Sequence, residues 1–345
     1  MIWCYFGQPA RQEGGDATKK KLRNTSQSLS NPRVDQNSSL AMTVEQPAST
    51  RREHDFRYWS WWLLGFVGVW AAFYFYFSPE PVALFRKNWV FIFVGVCGAI
   101  LGNISAVGGG IVFIPVMIFI FHTPPVSALK IALASQSLGM TSGAIGWIQK
   151  KVVPLDALKL TVPGLLLGST VSTLVIHPSA ILVKGLFGPV SIFLGLMTIL
   201  LSKRGSQQIA AWELPKGATI PVIVASFIGG LLTGWVAIGE GEIVAALLML
   251  VYGMNVASCI GLGVVLLSVN SIYLALLHQF VPNLGGIPWD IAAFTGLGCV
   301  FGARLAPYLS RRSNPIVLKS IFATIAIGDG ILFIFQFVLY YLKSH

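Results

Sequence analysis

From Trp59 onward the chain is a series of long apolar runs separated by short polar or glycine-rich interruptions. Set against the ~20 residues a helix needs to cross ~30 Å of hydrocarbon, these runs predict eleven membrane segments. Nine approach full length: 59–77, 89–107, 126–148, 155–176, 181–201, 219–238, 256–277, 290–306 and 316–342. The other two, 111–121 and 243–252, are too short to span comfortably, and each follows a glycine cluster. Short helices of that kind read as half-helices or re-entrant segments, tolerated only where protein or a polar cavity covers the broken backbone. Depending on how they are counted, the fold has 8–11 membrane segments. Trp59, Trp61, Trp62, Trp89, Trp147 and Trp289 fall near segment ends, as interfacial anchors do.

Composition agrees with the pattern. Of 345 residues, 54% are hydrophobic and 11% charged, and the mean hydropathy is +0.72, whereas soluble domains carry about 25% charged residues. The class is an all-α polytopic membrane protein. Charge is concentrated at the start: residues 1–58 hold nine Lys/Arg and six Asp/Glu, with the run Lys19-Lys20-Lys21. So polar a stretch buries too little apolar surface to offset its ordering entropy and is expected to be a disordered cytoplasmic tail. Met1 to Phe6 is too short for a signal-peptide core, and Met42 is a second candidate initiator. Cys4 lies in the tail while Cys97, Cys259 and Cys299 lie in apolar runs, which argues against a disulfide framework. The net charge of +11 has no accompanying basic domain with interleaved aromatics, so it reads as cytoplasmic loops rather than nucleic-acid binding.

Three basic groups orient the chain: Lys150, Lys151 and Lys159; Lys203, Arg204 and Lys216; and Arg304, Arg311, Arg312 and Lys319. If all eleven segments cross, these groups share the cytoplasmic side with the N-terminal tail, and the C-terminus lies outside. Arg86 and Lys87 count against the scheme. An internal repeat adds to it, because 101–119 aligns with 232–250 at an offset of 131 residues, with four of nineteen positions identical. Gly108 pairs with Gly239 and Gly110 with Gly241, and both halves give the same order: long helix, glycine break, short helix, turn, small-residue-rich helix. The expected units are an extra helix at 59–77, a first repeat at 88–204 and a second at 215–342. Five segments per repeat is an odd number, so the second should lie inverted relative to the first. Inverted repeats with discontinuous helices are a transporter architecture, with substrate bound near the midplane.

Few residues in the membrane region could carry chemistry. Gly108, Gly109 and Gly110 precede a short helix whose N-terminal amides and dipole favour an anion; close helix packing by small residues is the other reading. Lys130 sits well inside an apolar run, where an unpaired charge costs ~3 kcal/mol or more on insertion scales. Ser137 and Thr141 fall on its helical face, beside Ser135 and Gln136, and snorkelling of Lys130 to a headgroup is the alternative. Glu240 and Glu242 stand at the second break, either as helix caps or as a repelling pair that a single proton would relieve. Asp329, between Gly328 and Gly330, lies mid-span and is a candidate for the same coupling or for a local backbone bond. His122, His177 and His278 show no metal-ligand spacing, and there is no CxxC, Walker loop, nucleophile elbow or dinucleotide fingerprint. No cofactor, metal or catalytic residue is expected, and an enzyme is disfavoured.

The doubled pattern "AVGGGIVFIP" with "TPPVSALKIALAS", then "GLLTGWVAIGEGEI" with "MNVASCIGLG", resembles the sulfite exporter TauE/SafE family of membrane permeases over roughly residues 88–342. The resemblance implies a multi-pass plasma-membrane permease moving sulfur oxyanions or organosulfonates. By match to the motif, Gly108, Gly109 and Gly110 carry over from the first signature and Gly239 and Gly241 from the second. Glu240, with Glu242 beside it, departs from the glycine and small or apolar residues more usual there. The reading is a transporter with Gly108–Gly110 and Lys130 on a small anion and Glu240, Glu242 or Asp329 taking a coupling proton. A cation transporter using those carboxylates, or a non-transporting scaffold or receptor, are the alternatives.

Overall fold

Every apolar run becomes a helix. The computed structural model describes residues 52–105, 108–149, 151, 153–203, 217–312 and 315–344, and all regular structure among them is helical. In order these are α1 (Arg52–Phe77), α2 (Pro81–Asn88), α3 (Val90–Ser105), α4 (Gly110–Pro115), α5 (Pro125–Gln149), α6 (Leu155–Thr170), α7 (Ala180–Lys203), α8 (Thr219–Val236), α9 (Glu240–Leu250), α10 (Val256–Phe280), α11 (Trp289–Arg312) and α12 (Pro315–Ser344). One π turn prolongs α4 over Val116–Ile120, and another prolongs α6 over Val171–Val175. The expected tail up to residue 51 lies outside the described residues, as do Lys150, Arg204 and Lys216 of the basic groups.

Some boundaries differ from the sequence reading. Helix α2 was not expected; Pro81 at its first position starts it, and it meets α3 at a 52° bend. Helix α9 begins at Glu240 rather than at 243, which places both glutamates inside its first turn. Lys159 belongs to α6, Lys203 to α7, Arg304, Arg311 and Arg312 to α11 and Lys319 to α12, so of the described residues in the three basic groups Lys151 alone lies in a turn. Among the described residues, five helical stretches are long and apolar enough to cross a membrane by themselves: 155–175, 180–200, 219–236, 257–280 and 320–339, with the bent α2–α3 pair as a sixth. Helix α5 is long enough but too polar, because it carries Lys130, Ser135 and Gln136 into the protein interior rather than to lipid. The extra helix expected at 59–77 is the later part of α1, with its apolar stretch at 63–76. It docks through Trp70, whose Nε1 donates to the Ala293 carbonyl at 3.0 Å, and through Tyr74 against Phe294.

Contacts fix the run directions. Ser135 and Gly139 of α5 meet Thr295 and Cys299 of α11 in the same order, so those helices are parallel. Gly298 and Gly302 of α11 likewise meet Ile92 and Val96 of α3. Gly230 and Gly234 of α8 meet Leu165 and Ser172 in ascending order, and Ser169 and Thr170 meet Asn270 and Tyr273, making α6, α8 and α10 parallel. Between the groups the order reverses, since Lys130 contacts Leu284, just past α10, while Thr141 contacts Ser268. Thus α3, α5 and α11 run one way and α6, α8 and α10 the other. Partners exchange in step: α3 packs on α11 as α8 packs on α6, while α5 packs on α10 and α7 on α12.

Small residues allow this closeness. A Cβ at Gly298 would stand 1.9 Å from the Ile92 carbonyl oxygen, and one at Gly168 2.1 Å from that of Phe227. Lipid tails are as apolar as leucine, so helix pairs in a membrane gain from such close van der Waals packing rather than from apolar burial.

Candidate functional site

Both glycine clusters interrupt the helical chain where the sequence places them. Helix α8 ends because Ala237 is left-handed (φ 55°), its N–H returning to the Thr233 carbonyl at 2.9 Å. Gly239, at φ 116°, then caps α9, a backbone conformation open to glycine and strained for other residues. In the first cluster Gly108 has φ 85° and Gly109 caps α4.

The two breaks abut. A Cβ on Gly110 would lie 2.5 Å from the Ala237 carbonyl oxygen and 2.9 Å from Ile238 Cγ2. Gln136, from the middle of α5, ties them: its Nε2 donates to the Ala237 carbonyl at 2.9 Å, and its Oε1 accepts from Ser271 Oγ at 3.3 Å. Thr141 and Ser268 bridge α5 and α10 one turn further along, at 2.7 Å. Ser137 instead returns its hydroxyl to the Ala134 carbonyl of its own helix.

Glu240 is 0% exposed. Asn270 Nδ2 donates to its Oε2, and Asn270 Oδ1 accepts from Ser169 Oγ at 2.7 Å, so a three-residue chain joins α9, α10 and α6. Among the described residues, Oε1 of Glu240 and both oxygens of Glu242, which is 8% exposed, make no hydrogen bond of good geometry; the nearest donors are Thr233 for Glu240 and the Gly239 and Glu242 amides for Glu242. At about 100° per residue, side chains two positions apart leave a helix about 200° apart. The glutamates therefore leave α9 on different faces, though Glu242 remains within electrostatic reach of Glu240. Glu242 occupies the third helical position after the Gly239 cap, the place from which a carboxylate compensates the amide end of a helix.

Two expected residues lie away from the breaks. Lys130, near the start of α5, donates to the Leu284 carbonyl in the turn after α10. Asp329 is half-buried on α12, and its neighbour Gly330 packs on Gly188 and Ile192 of α7. Sequence reasoning missed Asn270, and treated Gln136 only as a neighbour of the Lys130 stripe. The signal for Asn270 was present: Ser268, Asn270 and Ser271 interrupt the most hydropathic span of the chain. Among the described residues no three His, Cys, Asp or Glu side chains converge as metal ligands do.

Such a centre, with two broken helices, a buried amide clamp and carboxylates that form no ion pair among the described residues, suits reversible binding of a small polar solute. Comparison with known families agrees: the profile of the family described as sulfite exporter TauE/SafE matches residues 91–333. The chain belongs to the sulfite exporter TauE/SafE family. The match takes in both breaks, Gln136, Asn270 and Lys130 and leaves out α1 and α2. Membership makes this TauE/SafE protein a multi-pass membrane permease of the class that moves sulfur anions. Comparisons with curated proteins and with solved structures give no match.

Proposed function

We propose that this TauE/SafE protein is a secondary transporter that carries a small anion, a sulfur oxyanion or organosulfonate, across the plasma membrane by alternating access, coupled to a proton. The observation that carries this reading is the direct packing of the two buried breaks, with Gln136 clamped between them. Where helices are broken at one point, first-turn amides have no intrahelical carbonyl to donate to, and Gln136, Ser271 and Asn270 are donors that can exchange their present acceptors for an anion. Glu240 supplies the link to protons. An anion passing an ionised, buried carboxylate is repelled, and a proton on that carboxylate removes the repulsion, so the two bind together and raise each other's affinity.

Two further parts belong to the proposal. The first is that residues 88–204 and 215–342 are inverted copies; the opposed directions of α3 with α8, α5 with α10, and α6 with α11 support it. The second is that the N-terminal tail and the Lys151 and Arg311 ends are cytoplasmic, in keeping with their basic neighbours. One observation favours a rival, in which Glu240 and Glu242 hold a cation: among the described residues no basic side chain forms an ion pair with either carboxylate.

Flux measurements on the full-length protein in vesicles separate the readings. Sulfite, sulfate, thiosulfate, short sulfonates and carboxylates are offered at two pH values. Anion flux that grows at the lower pH is the expected outcome. Cation flux without anion flux replaces this reading with the rival, and absence of both leaves a scaffold or receptor.

A further inference from the structure

Lys130 precedes Gln136 by six residues, so at 1.5 Å per residue it lies about 9 Å nearer the start of α5. Opposite it stand the last turn of α10 and the Pro282–Leu284 turn that follows. Lys130 is 7% exposed and His278, of α10, is 1% exposed. The ammonium donates to Leu284, and no ion pair holds it among the described residues. His278 lies within electrostatic reach of Lys130, and neither of its ring nitrogens has a hydrogen-bond partner. An imidazole carries at least one N–H in any protonation state, and an ammonium carries three. Two elements thus bring donor capacity not used up within the protein, one group charged and one without any partner, within electrostatic reach of each other in the interior. Neither snorkelling nor a structural hydrogen bond accounts for a histidine without a partner there, because leaving such donors buried is costly.

We propose that Lys130 and His278 form an anion station of their own, at the end of the α5–α10 seam away from the Lys151 turn. A small oxyanion docks there before it reaches the breaks. Lys130 neutralises its charge, and a His278 N–H fixes one of its oxygens. The Leu284 carbonyl, which now accepts from Lys130, sits in a turn followed by Gly285 and Gly286, both at positive φ (73° and 65°), so that short segment can yield the ammonium to the anion. Beyond the station the polar positions continue along the seam, first Ser271 with Gln136 and then Thr141 with Ser268. The proposal rests on the transport reading above.

Sulfite uptake by the full-length protein in vesicles of known orientation tests it. Lys130→Gln and His278→Gln should each raise KM about tenfold or more, as loss of one charged or directed hydrogen bond to an anion does. The maximal rate should stay near that of wild type, and the rise should appear only for sulfite offered from the Lys130 face. The double substitution should raise KM by less than the product of the singles, since one anion touches both groups. Lys130→Arg, which keeps the charge, should recover most of the affinity, and it decides the matter with His278→Gln if Lys130→Gln does not fold. Unchanged KM in both single variants overturns the station, as does a collapse of maximal rate at unchanged KM, which marks a structural role. A wild-type protein that moves no anion overturns the transport reading and the station with it; one that transports while ignoring both substitutions overturns the station alone.

Discussion

A single methyl group tests whether the two breaks are pressed together. In Gly110→Ala the new Cβ falls 2.5 Å from the Ala237 carbonyl oxygen and 2.9 Å from both Gln136 Nε2 and Ile238 Cγ2. The carbonyl belongs to the backbone of the second break and cannot swing aside; Gln136 can, but only by giving up its bond to that carbonyl. Overpacking of this kind costs about 1–3 kcal/mol, and a buried amide left without its acceptor costs about 1–3 kcal/mol more. Gly146, on the same protein's α5, is the control, because a Cβ there meets nothing within 4 Å. Gly146→Ala should gain about 0.5–1 kcal/mol from helix propensity and a less free unfolded chain. The two variants therefore move stability in opposite directions for the same chemical change. Thermal unfolding of the purified proteins in detergent should show a lower midpoint for Gly110→Ala and an equal or higher one for Gly146→Ala, and vesicle uptake should fall only in the first. A Gly110→Ala protein that melts with wild type and transports at its rate would refute the abutment of the breaks.

Three other outcomes follow from the same geometry. Glu240→Gln should flatten the rise of flux on acidification while leaving anion binding largely intact, because a neutral amide has the shape of the protonated acid; Glu242→Gln, on the divergent face, should do so less, and an unchanged pH profile in both would move the search to Asp329. Asn270→Ala strips Glu240 of its donor and Ser169 of its acceptor, so the unfolding midpoint should drop by the equivalent of about 2–3 kcal/mol; Asn270→Asp, which sets a second carboxylate against Glu240, should be worse. Cysteines placed at Lys151 and Arg311 should both escape a membrane-impermeant thiol reagent applied to intact cells, and labelling of either would break the inverted topology.

Much of the helical frame was legible in the sequence because hydropathy and glycine are strong signals in a membrane. All eleven expected segments recur as helices, and both breaks fall at Gly108–Gly110 and Gly239. Helix α2 was not legible, since Pro81–Asn88 is short and carries Arg86 and Lys87. The start of α9 was misread because a glycine between two glutamates looks like a loop, whereas Gly239 alone supplies the turn and Glu240 already belongs to the helix. The grouping of side chains was beyond a one-dimensional reading. Lys130 and Gln136 share a helix, yet one faces the end of α10 and the other the opposite break, and which neighbour each meets depends on how α5 crosses α10. His278 offered no spacing pattern, because its significance comes from Lys130, 148 residues earlier in the chain.

The halves differ most where they touch, and the difference bears on coupling. At the offset of 131, Gln136 corresponds to Leu267 and Asn270 to Gly139, so neither polar clamp has a polar counterpart. Gln136 reaches from the first half to the Ala237 carbonyl of the second, and Asn270 of the second half accepts from Ser169 of the first. Both links span the halves, so any movement of one half against the other has to break or exchange them. Glu240 is attached to only one of the two. Its carboxylate accepts from the same Asn270 that holds Ser169, and a carboxylate accepts such a bond more strongly than a neutral acid does. On the proposed mechanism, a proton on Glu240 loosens the Asn270 clasp and leaves the Gln136 clamp at the anion site intact. Proton uptake then weakens one of the two links while the other stays on the substrate, so the halves part only when Gln136 exchanges the Ala237 carbonyl as well.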